Sequence, residues 1–261
     1  MKKFVALALG AALAASCLSG CGGGGSSAGE VNVYNWGEYI DMSVLEDFEA
    51  ETGIKVNYKT FDSNETMYSM LSGGGTEYDV IIPSDYMISR LIEEDMLEPL
   101  NFDNIPNFSD VDPELKNPEY DPENLYSVPY MWGLMGVIYN TTMVDEADTG
   151  SWDLLWNDKY ANDIVMIDNS RDAIGIALKR LGYSYNTTDP DQITEAVDSL
   201  IEQKSILQGY AMDQIFSKME GSNAAIGTYY YGDYLTMAEN NPDLAFYLPE
   251  EGTNIYVDAM C

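Results

Sequence analysis

The chain has no histidine. That removes the commonest general base, the usual zinc ligand and every Ser–His or Cys–His nucleophile. Cysteine is scarce too, with three residues in 261. Cys17 and Cys21 fall in the leader region, and Cys261 is the last residue. No disulfide framework or cysteine metal site is expected. Basic residues number 12 against 44 acidic ones, a formal net charge of −32. Such a surface repels nucleic acid and anionic headgroups, and it attracts small cations. No G-x-G-x-x-G follows a strand, and G-x-x-x-x-G-K-[ST], C-x-x-C, H-E-x-x-H and the calcium-loop pattern are absent. No cofactor and no metal are expected. Carboxylate pairs could support glycoside hydrolysis, but among 44 acids a pair carries little weight alone.

What is present begins with a leader. Met1-Lys2-Lys3 is basic, and the apolar run from Phe4 to about Leu18 is too short to span a bilayer. Leu18-Ser19-Gly20-Cys21 has the order of a lipobox, ahead of the weaker Ala14-Ala15-Ser16-Cys17. Residues 1–20 are therefore expected to be a lipoprotein signal peptide, with Cys21 the lipidated residue. Residues 21–30 are a Gly/Ser tether. The expected location is extracytoplasmic, anchored to a membrane by acyl chains. The remainder, 46% hydrophobic and 12% aromatic over the whole chain, is globular in composition.

Strand-like and helical runs alternate. VNVYNW, IKVNYKTF and YDVIIP read as strands. Between and after them lie a helix opened by the capping box Ser43-x-x-Glu46 and stopped at Gly53, the helix SNETMYSML, and a helix opened by Ser84. This βαβαβα order predicts a sheet of mostly parallel strands. Five prolines punctuate a loop from about Glu98 to Asn124. The apolar run 125–140 is longer than one ordinary strand and reads as a strand pair or a crossing between lobes. The alternation then resumes: SWDLLW helical, NDIVMID strand, RDAIGIALKRLG helix, a helix opened by Asp189-Pro190, MDQIFSKMEG helix, AAIGTYYYG strand, DYLTMAENN helix, LAFYLP strand and a final strand IYVDAMC. Because the sequence ends on an apolar strand, a C-terminal truncation is expected, the alternative being an edge strand that ends the protein.

In open α/β sheets, ligands bind beyond the carboxyl ends of the strands. Those ends carry Trp36, Glu38 and Tyr39; Ser84, Asp85 and Tyr86; Asp168, Asn169 and Asp172; Tyr229, Tyr230, Tyr231 and Asp233; Tyr256 and Asp258. Aromatics and acids recur there, with Arg171 the one basic residue among them. Aromatic faces attract cations by about 0.5–2 kcal/mol each. Ammonium-to-carboxylate hydrogen bonds add about 1.5–3 kcal/mol each. The combination fits a flexible apolar ligand with an ammonium at each end. Packing is the competing account of any one of these aromatics.

The stretches YNWGEYI, ETGIKVNYKTFDSNETMYSML, YDVIIPSDYMI, YSVPYMWG, ALKRLGYSYNTTDP and TYYYGDY occur in one collinear order over about residues 31–261. In these the chain resembles the spermidine/putrescine-binding proteins of bacterial ABC importers. The resemblance implies an α/β, two-lobed type II periplasmic-binding-protein fold with the ligand in the cleft, its C-terminal part missing. It implies lobe 1 over 31–136, lobe 2 over 137–254, and a return strand to lobe 1 at 255–261. Carried over by position, Trp36, Glu38 and Tyr39 match the first aromatic/acid motif, and Ser84 and Tyr86 match Ser-x-Tyr. Asp172 stands at an amine-binding acid, and Asp233 matches an acid of some putrescine binders. Tyr230 and Tyr256 stand where tryptophan is usual, and Asp258 completes an aromatic-x-acid pair. Asn169 replaces an aspartate found in spermidine-type members, for which Asp168 could substitute. The implied partners are putrescine or spermidine and the permease of an ABC transporter, with no enzymatic activity. The alternatives are a receptor for another solute such as a sugar, a carboxylate-dependent surface hydrolase, and a sensor that signals without transport.

Overall fold

The computed structural model describes residues 29–74 and 77–261. The expected signal peptide and lipobox, with Cys21, lie outside the described residues. By packing, the chain divides into two compact units. One comprises the described residues up to Asn32 with Ile40–Asn57, and the other comprises Val33–Tyr39 with Tyr58–Cys261.

The first unit holds helix α1 (Met42–Thr52). Its cap is Asp41, whose carboxylate accepts the Ser43 N–H at 2.9 Å. The helix thus starts ahead of the expected Ser43 box: an anionic oxygen at the N-cap satisfies an orphan donor and complements the helix dipole. Gly53 ends it at φ 70°, donating to Glu49 O at 2.9 Å, where a side chain would clash.

Strands β1 (Glu30–Trp36) and β2 (Lys55–Phe61) begin in the first unit and end in the second, where the chain enters helix α2 (Asn64–Ser72), capped by the Ser63 hydroxyl on Thr66 N–H. A two-residue strand β3 (Val80–Ile81) and helix α3 (Asp85–Glu93) follow. The sheet order is β2-β1-β3, with β1 and β3 parallel. Tyr34, Phe61, Met67, Ile81, Met87 and Leu91 pack as its core. The proline-rich stretch after α3 forms three short 3-10 turns.

The apolar run beginning at 125 contains one strand, β4 (Val128–Asn140), of 13 residues. Its length serves two sets of neighbours. Val128–Leu134 pairs antiparallel with β9 (Ile255–Met260), whereas Met135–Asn140 pairs with β7 (Ile226–Tyr230) and β8 (Leu244–Tyr247). Strand β9 also reaches the first sheet, because Ile81 and Cys261 exchange backbone hydrogen bonds of 3.0 and 2.9 Å.

The second sheet runs β6-β5-β7-β4-β8, with β5 (Ile164–Ile167) parallel to both β6 (Leu207–Ala211) and β7. The parallel strands are as expected, and the antiparallel β4, β8 and β9 make the sheets mixed. Strand β5 is buried at every position, as a central parallel strand must be. Strand β6 is absent from the sequence reading; LQGYA carries a glycine and only its two ends are buried. SWDLLW forms a 3-10 segment, Trp152–Trp156. Helices α4 (Ser170–Arg180), α5 (Pro190–Gln203), α6 (Gln214–Glu220) and α7 (Tyr231–Asn240) cover the sheet. Met135, Val137, Ile164, Met166, Ile176, Ile215 and Ile226 are among the buried core. No helix among the described residues is long and apolar enough to cross a membrane.

Candidate functional site

A cavity of about 710 Å³ opens beyond the strand ends. Its wall includes Trp36, Gly37, Glu38 and Tyr39 from the turn after β1, and Ser84, Asp85 and Tyr86 from the start of α3. Asn169, Arg171 and Asp172 come from the start of α4, and Tyr229, Tyr230 and Asp233 from the β7–α7 junction. Asn254, Tyr256 and Asp258 come from β9 and the residue before it. Of the twelve residues expected at the site, eleven line this cavity and Asp168 does not. Asp168 closes β5 with its side chain exposed and its N–H on Ala211 O. Asn169 lines the wall while its own Oδ1 caps α4 by accepting the Asp172 N–H at 3.2 Å.

Glu38 is exposed and takes a left-handed φ of 46°. A side chain at such an angle is uncommon, and the conformation turns the chain sharply so that Trp36 and Tyr39 both reach the wall. Asn64, fully buried at the start of α2, organises the next segment. Its amide donates to Ser84 Oγ at 3.0 Å and Tyr86 Oη at 3.1 Å, and its Oδ1 accepts the Ser84 N–H at 3.2 Å. Ser84 Oγ is thus held by Asn64 as an acceptor and makes no side-chain cap to α3.

The carboxylates fall into two groups by mutual influence. Asp172, 5% exposed, accepts from Tyr185 at 2.7 Å, Asn254 at 3.0 Å and Tyr230 at 2.8 Å. Burial raises its affinity for a proton, against the Tyr185 and Tyr230 hydroxyls and the Arg171 charge. Asp258 accepts from the Tyr39 hydroxyl at 2.6 Å. Burial pushes its carboxyl up to about 6, with Asp85 and Asp172 adding to the rise and Ser84 and Tyr39 opposing it. Asp85 accepts from the Tyr86 N–H at 2.6 Å and the Val257 N–H at 3.3 Å, and burial raises it as well. The other group is Asp213, which accepts from Tyr229 at 3.1 Å, and Asp233, pushed to about 7 by burial and by Asp213. Between the groups stand rings: Tyr230 meets Tyr256 edge-on at 4.9 Å and Tyr229 at 5.0 Å. The Tyr256 hydroxyl responds to Asp258, Asp233 and Asp172 together.

The site has little positive charge. None of the ion pairs among the described residues involves a carboxylate of the cavity wall. The guanidinium of Arg171, the one basic residue in the wall, stacks 4.4 Å from the Tyr86 ring centroid. Asp258 Oδ1 and Asn254 Oδ1 are buried acceptors with no hydrogen-bond partner among the described residues, and Trp36 Nε1 and Tyr120 Oη are buried donors in the same state. Buried polar atoms are rarely left so, and here four of them border one cavity.

Tyr185, Asn254, Asp213, Asn64 and Tyr120 are wall residues that the sequence reading did not single out. Tyr185 and Tyr120 lie outside strand ends, in a helix-helix loop and the proline-rich stretch. Asp213 follows β6, so missing that strand hid it.

The sequence family described as bacterial extracellular solute-binding protein matches residues 43–261. The chain belongs to this family. It is 34% identical over 228 residues to a spermidine/putrescine-binding periplasmic protein of Salmonella typhimurium, a match covering 87% of this chain and 66% of that protein. The chain thus spans just under two thirds of that relative's length. Among solved structures, a putative spermidine/putrescine ABC transporter from Listeria monocytogenes superposes with a TM-score of 0.86 at 38% identity, covering 88% of this chain and 71% of that one. The substrate-binding protein PotD of a spermidine/putrescine ABC transporter from Streptococcus pneumoniae gives 0.69 at 43% identity, with the same coverage. These solute-binding proteins share with the chain the mixed α/β architecture of type II periplasmic binding proteins.

Proposed function

We propose that this solute-binding protein is a polyamine receptor, taking putrescine or spermidine as a cation with charge at both ends. The observation that carries this reading is two groups of carboxylates, one buried and one half-buried, joined by tyrosine rings, in a wall with one arginine and no lysine. An ammonium at the Asp172–Asp258 group supplies the donors that Asp258 Oδ1 and Asn254 Oδ1 lack, and a second one faces Asp213 and Asp233. The methylenes between lie on Tyr230, Tyr256 and Trp36, where each ring contributes about 0.5–2 kcal/mol to a nearby cation. The relatives, known as spermidine/putrescine-binding proteins, support the same ligand class.

Glu38, Asp172, Asp233 and Asp258 are the proposed ammonium partners. On this reading residues 31–136 and 137–254 act as two lobes that close on the ligand by hinge motion, with 255–261 returning to the first. The receptor is held at the membrane by lipid on Cys21 and hands its ligand to an ABC permease. It performs no chemistry on the ligand.

Titration calorimetry of the full chain with putrescine, spermidine and n-butylamine tests the reading. Micromolar or tighter binding of the polyamines, with the monoamine much weaker, is the expected result. A folded chain that takes none of them, or that prefers a neutral sugar, would overturn it.

A further inference from the structure

Asp213 has no counterpart among the residues assigned to the ligand so far, yet its carboxylate faces the same cavity. It stands at the head of α6, immediately before Gln214. One oxygen, Oδ1, accepts from Tyr229. The other, Oδ2, lies against Gly37, so close that a Cβ at position 37 would collide with it. Gly37 sits between Trp36 and Glu38 in the turn after β1, and its φ is not left-handed. Its lack of a side chain is therefore not explained by backbone conformation. The steric record at this position is specific: the three nearest atoms to an added Cβ all belong to the Asp213 carboxyl.

Resting on the polyamine reading, we propose that the bare Cα of Gly37 admits Asp213 as the second carboxylate of a paired-acid pole with Asp233, and that this pole selects α,ω-diamines over monoamines. An ammonium presents three donors in a tetrahedral spread. A pole with two carboxylates, one of them already oriented by Tyr229, accepts two of those donors with charge-assisted hydrogen bonds. A ligand with a methyl group in place of that ammonium leaves both half-buried acids without a cation, which is the stronger part of the discrimination. The influence of Asp213 on Asp233, whose carboxyl stands near 7, agrees with the two acids sharing one space.

A double-mutant cycle on the full chain tests this. Asp213→Ala removes the carboxylate, Gly37→Ala displaces it, and the double variant combines them. Putrescine and n-butylamine are titrated into each, and thermal unfolding checks that each folds. The expected result is a tenfold or larger loss of putrescine affinity in either single variant, no further loss in the double variant, and a shrunken putrescine-to-butylamine ratio. Asp213→Asn, which keeps the volume and removes the charge, is expected to lose putrescine affinity to the same extent and covers the case of a Gly37→Ala chain that does not fold. Unmutated chain that binds putrescine, with Asp213→Asn and Asp213→Ala binding it equally well, overturns this inference and leaves the polyamine reading standing. Losses that simply add in the double variant overturn the link between Gly37 and Asp213. Unmutated chain that binds no polyamine overturns both.

Discussion

At 4% exposure Asp258 has one oxygen bonded to the Tyr39 hydroxyl and the other bonded to nothing. Such a carboxyl is poised for a cation and strained without one. Its folded value of about 6 lies above the ordinary 3.8. Between those two values the folded chain keeps a proton that the unfolded chain has released. Stability therefore falls as pH rises through that window, and the deficit stays in full above it. Two pH units correspond to roughly 3 kcal/mol. Asp258→Asn keeps the shape and removes the charge. The ligand-free variant is expected to melt several degrees above the unmutated chain at pH 7.5, at roughly 2–4 °C per kcal/mol, and level with it at pH 4. Its putrescine affinity should drop at least tenfold at pH 7.5. Thermal unfolding at the two pH values, with calorimetric titration at the higher, measures both. Equal melting temperatures at pH 7.5 would contradict the account of a buried, unpaired carboxylate. Although the structure sets it within β9 and not at its end, Asp258 was legible because an aromatic-x-acid pair in a strand-like run is visible in the sequence. The Tyr39 hydroxyl on it, 219 positions away, is not.

Elements set the distances between these residues, and one helix does so through a glycine. Gly175 is buried in α4, where a Cβ would run into the ring of Tyr185. Tyr185 in turn donates to Asp172 three residues before Gly175. Gly175→Ala gains about 1 kcal/mol of helix propensity, but forcing a methyl into a filled space costs about 1–3 kcal/mol. The ring must move, and Asp172 then loses a donor. Putrescine affinity is expected to fall several-fold although residue 175 is no part of the cavity wall, and Tyr185→Phe should show a loss of similar size. Titration of both variants decides it; an unchanged Gly175→Ala affinity would mean the ring relaxes without leaving Asp172. The same scale shows where a sequence is readable. Helices with strong end signals, such as Ser63 before α2 and Asp189-Pro190 before α5, stand where capping chemistry places them. Strand β4 was ambiguous because a 13-residue strand is long for any single pairing, and its two halves serve different neighbours. Strand β6 was unreadable because pairing beside β5, not its own apolar pattern, holds it in place. Asp213 and Asn254 were hidden for a related reason: each depends on a partner far along the chain, Gly37 or Asp172.

For the molecule as a whole, a formal charge of −32 acts on folding and on binding with opposite responses to salt. Without ligand, acids crowd one another across the surface and in the cavity, where Asp233 and Asp258 are both raised by acidic neighbours as well as by burial. Self-repulsion of that kind destabilises the compact state, and salt screens it over a Debye length of about 10 Å at 0.1 M and about 3 Å at 1 M. The melting temperature of the ligand-free chain should therefore rise with sodium chloride. The field that repels its own acids attracts a polycation. Steering by such a field speeds association by about ten- to a thousandfold at low ionic strength and fades as salt is added. Putrescine association should slow at least tenfold between 10 mM and 500 mM salt, and spermidine, with a third positive charge, should slow more. Dissociation should change little, because the ion pairs inside the cavity are shielded from bulk ions. Stopped-flow tyrosine and tryptophan fluorescence separates the two rates, and a parallel thermal series follows stability. A neutral ligand would show no salt-dependent association. Affinity that is indifferent to salt while stability climbs would place the charge on the surface alone and remove it from recognition. Falling affinity together with rising stability is the pattern expected of an acidic receptor whose ligand completes its charge.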